Sequence, residues 1–430
     1  MLELVTSIGI EPIQLLLILV VASLAFTLLY RKYVFNLFDP LTMFIISMVA
    51  NTALMCALPW EVRFKWEFVF FAIFLWMGFV ATARKPRPQI HLTIPKEQLF
   101  DLEVVLVLLC GIIILANLYL GASTGFAIFS DNPSVTKVTS YSGGTGIIRR
   151  INMGPYIFCC CGCVYMAMIR HKRRLAIALL ACSSVFIMMS GSKGALLSLV
   201  FAQAVALGHP GLTRNHLFVA KVKRYALYTL ILGTVVALAV LIRDQGSFSL
   251  GVLGLFKRIL LTGDVILYYF ADRARVMAAT QQSLLGYLQY LMGDTLSMLR
   301  LQEYTEPLGS VILGLGNTGF GPNAQSFVVA DLFFGPVFGC LYSFAVGYAI
   351  GYLRTNFIND SRSSPILFVL KLTLAVLAFS ISVEAPGFIS SVVMTVLVLS
   401  PLWLLARLAR LAMHRGPLLN TEDSLEMSQI

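Results

Sequence analysis

Long apolar runs separated by short charged connections dominate the chain, and their lengths set the architecture. A hydrocarbon core of about 30 Å takes ~20 residues of helix, with ~17–25 tolerated. Runs of this kind lie near residues 12–30, 39–58, 68–83, 102–121, 151–169, 175–190, 194–208, 225–242, 326–353, 366–383 and 387–406. The pattern predicts an all-α polytopic integral membrane protein with about eleven transmembrane helices. Basic residues then orient them. Arg31 and Lys32, Arg84 with Lys85 and Arg87, Arg170 to Arg174, Arg214 to Arg224, Arg354 with Arg362, and Arg407 with Arg410 fall on alternate connections. One choice of side places every cluster in the cytoplasm, with the amino terminus outside and the tail 407–430 inside.

The segmentation follows from that topology. Residues 1–242 hold eight spans with an outer loop at 121–150, residues 243–325 form a large outer loop, and residues 326–406 hold three more spans. The stretch 175–208 is short for two crossings and forms either two short spans or a re-entrant hairpin, with SGSKGA (190–195) at or below the outer surface. The last pair folds back at Glu384-Ala385-Pro386-Gly387, placing Glu384 outside. The loop 121–150 is rich in Ser, Thr, Gly and Asn, and its Arg149-Arg150 end reads as a headgroup anchor. The large loop carries amphipathic stretches at 257–275 and 281–300 and a glycine-rich one at 314–327, which predict short helices on or in the outer leaflet.

Composition agrees with a membrane protein. The chain of 430 residues is 58% hydrophobic and 12% charged, against about 25% charged in soluble domains. Its net charge of +11 is a matter of sidedness, since 20 Lys+Arg face 8 Asp+Glu on the cytoplasmic side and 12 face 13 outside. That disfavours nucleic acid as a partner and leaves the bilayer as the first one. The eight cysteines sit in or beside apolar runs, so CCCGC (159–163) reads as small packing residues rather than a disulfide framework or zinc site. The first apolar run follows Glu3 and Glu11 instead of a basic segment and reads as an uncleaved span.

The balanced outer charges form the shortlist for chemistry: Lys193, Arg243, Asp244, Lys257, Arg258, Asp264, Asp272, Arg273, Arg275, Asp294, Arg300, Glu303, Glu306, Asp331 and Glu384. Arginine interleaved with carboxylate in an apolar setting suits a ligand with phosphate at one end. All five histidines (His91, His171, His209, His216, His414) fall on the cytoplasmic side, so an outer proton acceptor is a carboxylate, a tyrosine or the substrate. SGSKGA lacks the spacing of a nucleotide-binding P-loop. It is either a tight interhelical turn or a phosphate contact through Lys193. Asp272-Arg273-x-Arg275 is either an interfacial helix with locally paired charges or part of the anion grip. No outer Asp-x-Asp pair offers ligands for a metal-held pyrophosphate, and no cofactor is expected.

Taken together, the eleven or so spans, the turn SGSKGALL (190–197), the single large outer loop and the segment NAQSFVVADLFFGPVFGCL (323–341) resemble Wzy-type O-antigen polymerases and the related O-antigen ligases. In the family the turn commonly reads Ser-Arg-Gly-Ala, and Lys193 stands where the Arg is usual. The ligases carry an essential outer-loop His that this chain lacks, which favours a polymerase. The resemblance implies a GT-C-like glycosyltransferase of the bacterial inner membrane, its large loop periplasmic, that joins undecaprenyl-pyrophosphate-linked oligosaccharide repeat units. A chain-length regulator would be a protein partner. It also implies that Lys193, Arg243, Arg258, Arg273 and Arg275 hold the pyrophosphate and that Asp264, Asp272 or Glu306 takes the acceptor proton. The alternative is a transporter or flippase of a lipid-linked sugar or other solute. A membrane acyltransferase or phosphatase is disfavoured by the missing outer His.

Overall fold

The computed structural model describes residues 12–85, 96–130, 146–190, 194–213, 216–252, 254, 264–303, 306–314 and 323–414. Among them every regular element is helical. In chain order these are α1 Pro12–Tyr30, α2 Pro40–Ala57, α3 Val62–Thr82 and α4 Lys96–Thr124, followed by a 3-10 turn at Ala127–Phe129. Next come α5 Gly146–Arg150, α6 Gly154–Met168, α7 Arg173–Met189, α8 Gly194–Ala206 and α9 His216–Gln245. Four shorter helices follow: α10 Asp264–Ala271, α11 Arg273–Ala279, α12 Leu284–Met298 and α13 Leu308–Leu313. The rest are α14 Ser326–Val329, a π turn Ala330–Phe334, α15 Gly335–Thr355, α16 Pro365–Leu377, α17 Ser380–Val383 and α18 Ala385–His414.

Eight helical stretches among the described residues are long and apolar enough to cross a membrane, as a multi-pass membrane protein requires. They are Ile13–Tyr30, Pro40–Ala57, Val62–Thr82, Glu97–Thr124, Val219–Arg243, Ser326–Thr355, Pro365–Val383 and Ala385–Met413. The helices α6 and α8 are apolar but shorter. Local chemistry sets several helix starts. Asp39 accepts a hydrogen bond from the Leu41 amide with Pro40 behind it, and Ser364 accepts one from Leu367 with Pro365 in the first turn.

The helices bury two adjoining cores. One surrounds α6, whose Cys159, Cys160, Cys161 and Cys163 are packed among α4, α7, α8, α16 and α18. The second is built on α3 against α15. There the backbones touch: a Cβ on Gly347 would lie 1.9 Å from the Leu75 carbonyl oxygen, and one on Gly78 would lie 2.0 Å from that of Phe344. Small residues let the two helices approach this closely, and the Thr82 hydroxyl donates to the Tyr348 carbonyl across the seam at 2.8 Å. By contrast α1 and α9 are peripheral, with most of their apolar side chains facing outward.

One end of the bundle, where α1, α3 and α15 finish, is closed by ion pairs. Arg354 and Asp39 are both 0% exposed, and the guanidinium donates to the two carboxylate oxygens at 2.6 and 2.5 Å. Asp39 also accepts from the Phe35 and Leu41 amides, Arg354 donates to the Tyr33 carbonyl, and the Phe35 ring lies 4.1 Å from the guanidinium carbon. Nearby, Lys371 pairs with Asp360, which the Ser363 hydroxyl also holds. Burial pushes the Asp360 pKa up, but these donors outweigh it and the net shift is downward.

Candidate functional site

At the opposite ends of these helices lies a cluster of a different kind, built from α5, α12 and the break between α17 and α18. Arg150 closes α5, and the chain then turns into α6 at Gly154. A Cβ on Gly154 would lie 2.2 Å from both the Ser391 carbonyl oxygen and the Thr395 hydroxyl, so only glycine lets the start of α6 lie against α18. Asn152 exchanges two 2.8 Å amide hydrogen bonds with Asn117 of α4. Held from both sides, Arg150 donates to the Ser390 hydroxyl at 2.9 Å and to Asp294 of α12 at 2.6 Å. Its side chain is only 17% exposed, so the arginine read as a headgroup anchor is directed into the protein instead.

The α12 helix presents a single functional face. Tyr287, Tyr290 and Asp294 recur at helical spacing, and Ser283 caps the helix by accepting from the Gly286 amide. Tyr287 meets Phe333, Phe334 and Tyr342 edge-on, while Tyr290 stacks on Phe333 with ring centroids 5.6 Å apart. These rings form a half-buried aromatic wall beside Asp294. The Tyr290 hydroxyl is buried without a hydrogen-bond partner among the described residues. Burial raises the pKa of that phenol, which keeps it a donor.

Glu384 completes the cluster. It lies between α17 and α18 with φ −156° and ψ 81°, joining Phe379 of one core to Phe388 beside the other. Protein surrounds it on nearly all sides, yet the side chain remains accessible, as for a group lining a recess rather than packed in a core. Burial and the neighbouring Asp294 carboxylate push its pKa up to about 7, against the opposing pull of Arg150. Arg150 neutralises Asp294, so the three together are neutral when Glu384 is protonated and carry one negative charge when it is not. The arrangement can exchange a proton near neutral pH next to a fixed guanidinium.

The residues singled out from the sequence occupy other places. Lys193 and Arg258 lie outside the described residues, as does the Asp264 side chain, whose backbone begins α10. Arg273 is bound bidentately to buried Asp331 of the π turn at 2.8 and 3.0 Å, with the Tyr269 hydroxyl donating to the same carboxylate at 2.6 Å. The Phe64 ring lies 5.0 Å from the Arg273 guanidinium carbon. Arg275 pairs with Asp272 at 2.5 Å and donates to the Val311 and Ile312 carbonyls, holding the end of α13. Asp272 and Arg275 are thus locally paired. Arg243 donates to the Ile128 and Phe129 carbonyls, linking α9 to the 3-10 turn. Glu306 is half-buried just before α13.

Arg150, Asp294 and Glu384 carry weaker signals. For Glu384 the sign is a lone carboxylate between two apolar runs, followed by Ala-Pro-Gly. Asp294 and Arg150 stand 144 residues apart, and nothing in local spacing pairs them. Comparison with family models, with curated proteins and with solved structures finds no match to this chain.

Proposed function

We propose that the protein is a membrane-embedded glycosyltransferase that polymerises undecaprenyl-pyrophosphate-linked oligosaccharide repeat units at the periplasmic face of a bacterial inner membrane. The observation that carries this reading is the Arg150–Asp294–Glu384 cluster: fixed positive charge, an exchangeable proton and an aromatic wall, set at the ends of apolar helices. A lipid-linked sugar needs all of these at one depth. The prenyl tails lie along apolar helix faces, the rings offer a surface to the sugar, and the polar groups serve the bond being made. The orientation, with about eleven spans and the large loop 243–325 outside, rests on the distribution of basic residues between alternate connections.

In this reading the pyrophosphate is gripped by Lys193, Arg243 and Arg258. Arg273 and Arg275 anchor the short helices to the membrane domain, because their guanidinium groups are bound to Asp331 and to Asp272 with two carbonyls. The test is direct. Purified protein supplied with a polyprenyl-pyrophosphate-linked repeat unit lengthens the glycan into a ladder; intact substrate with no longer products refutes the proposal.

A second reading, a proton-linked transporter of a lipid-linked sugar, draws on Glu384, which changes charge near neutral pH. It predicts translocation of the labelled lipid across reconstituted vesicles with its glycan unchanged.

A further inference from the structure

The recess around Glu384 presents an acceptor that the fold itself leaves unused. Among the described residues no donor hydrogen-bonds the Glu384 carboxylate, in contrast to Asp39 and Asp331, each of which is held by several. The Tyr290 hydroxyl feels the Glu384 charge but is sealed from solvent, and it has no hydrogen-bond partner among the described residues. An accessible carboxylate that no protein donor holds is a site for a ligand group that can donate to it. A sugar hydroxyl is such a group. The adjoining aromatic wall suits the apolar face of the ring that bears it.

We infer that Glu384 is the proton acceptor of the glycosyl transfer, receiving the proton of the attacking sugar hydroxyl. This rests on the polymerase reading above and assigns a residue outside the carboxylates that the family resemblance suggests. The acceptor oxygen forms a bond to C1 of the donor sugar as the bond from C1 to the pyrophosphate oxygen breaks. The bonding pair leaves with the polyprenyl pyrophosphate, and the hydroxyl proton moves to Glu384, which later returns it to water. Taking up that proton removes the single uncompensated charge from a deep site, so the low-dielectric surroundings favour the product side of the transfer.

Asp294 is a positioning residue. It pairs with Arg150 at 2.6 Å, and its own negative charge opposes ionisation of Glu384. The titratable and charged groups facing Glu384 are Asp294 and Tyr290 from α12 and Arg150 from α5. With Arg150 spent on Asp294, Glu384 remains basic enough to act near neutrality.

The test measures elongation of a polyprenyl-pyrophosphate-linked repeat unit by the full-length protein from pH 5 to 9. Wild-type activity rises with pH along a limb centred near 7, where Glu384 loses its proton. Glu384→Gln lowers the rate by ~10²–10⁴-fold, the range typical of a lost general base, while still binding the lipid-linked substrate. Asp294→Asn moves the limb to lower pH, whatever its effect on the maximal rate, because a repelling charge is gone and Arg150 is released. A purely structural Asp294 would lower the rate without moving the limb. Should Glu384→Gln not fold, the shift in Asp294→Asn decides alone. Wild-type elongation with an unmoved limb in Asp294→Asn, or with an undiminished rate in Glu384→Gln, overturns the assignment and spares the polymerase reading. Failure of the wild type to elongate overturns the polymerase reading and the assignment with it.

Discussion

The two ends of the bundle treat buried charge in opposite ways. Where α1, α3 and α15 finish, Asp39 and Arg354 are sealed from water, and Asp39 accepts from two backbone amides as well as from the guanidinium. At the other end, Arg150 and Asp294 are partly open, and beside them stands Glu384 with no donor of its own among the described residues. The first arrangement satisfies both carboxylate oxygens and leaves only the Arg354 Nε–H without a partner among the described residues. The second has spare capacity, and spare capacity in a deep polar site is what binding or proton transfer requires.

The contrast can be tested through stability, beginning where the effect is greatest. Arg354→Ala leaves Asp39 buried and unpaired, and should cost ~3–5 kcal/mol, whereas Arg150→Ala should cost only ~1–2 kcal/mol because water can reach Asp294. Thermal unfolding of the detergent-solubilised variants ranks the two; equal losses would erase the distinction between a sealed and an open end. Tyr269→Phe removes one of three hydrogen bonds to Asp331 and should cost about 1 kcal/mol, leaving the bidentate Arg273 contact in place.

The last effect is a dependence on pH. Because the folded-state pKa of Glu384 is raised from 4.5 to about 7, the folded protein binds more protons there than the unfolded chain. Glu384 therefore lowers stability as pH climbs from about 4.5 through 7, the reverse of a salt-bridged carboxylate. Glu384→Gln should match the wild type in acid and be the more stable of the two at pH 8, as read by unfolding midpoints at both values. A wild type that gained stability relative to Glu384→Gln as the pH rose across this window would contradict the sign.

Much of the helical framework is legible in the sequence because apolar length alone specifies it. Each of the eleven apolar runs falls on helix, although α4 and α9 begin several residues before the runs at 102 and 225, where charged residues mask helical continuity from a hydropathy reading. The run 326–353 reads as a single span, yet it contains the π turn Ala330–Phe334 ahead of Gly335-Pro336. Proline lacks the amide that an unbroken ladder needs, a local effect invisible to average apolarity. The site is less legible. Arg273 and Arg275 attract notice as arginines interleaved with carboxylates in the large outer loop, but their partners Asp331 and the α13 carbonyls come from distant segments. The same holds for Arg150 and Asp294, which only the packing of α5 and α12 on α18 brings together. Glu384 comes nearest to being readable, since one acid between two apolar helices stands out without any knowledge of its neighbours.

Infrared difference spectroscopy of the purified protein, titrated from pH 4 to 9 with Glu384→Gln as the reference, observes the protonated carboxyl of Glu384 itself. A carbonyl band lost with a midpoint near 7, and missing in the variant, is the expected result. A midpoint in the ordinary carboxylate range would contradict the picture of an open, proton-exchanging cluster.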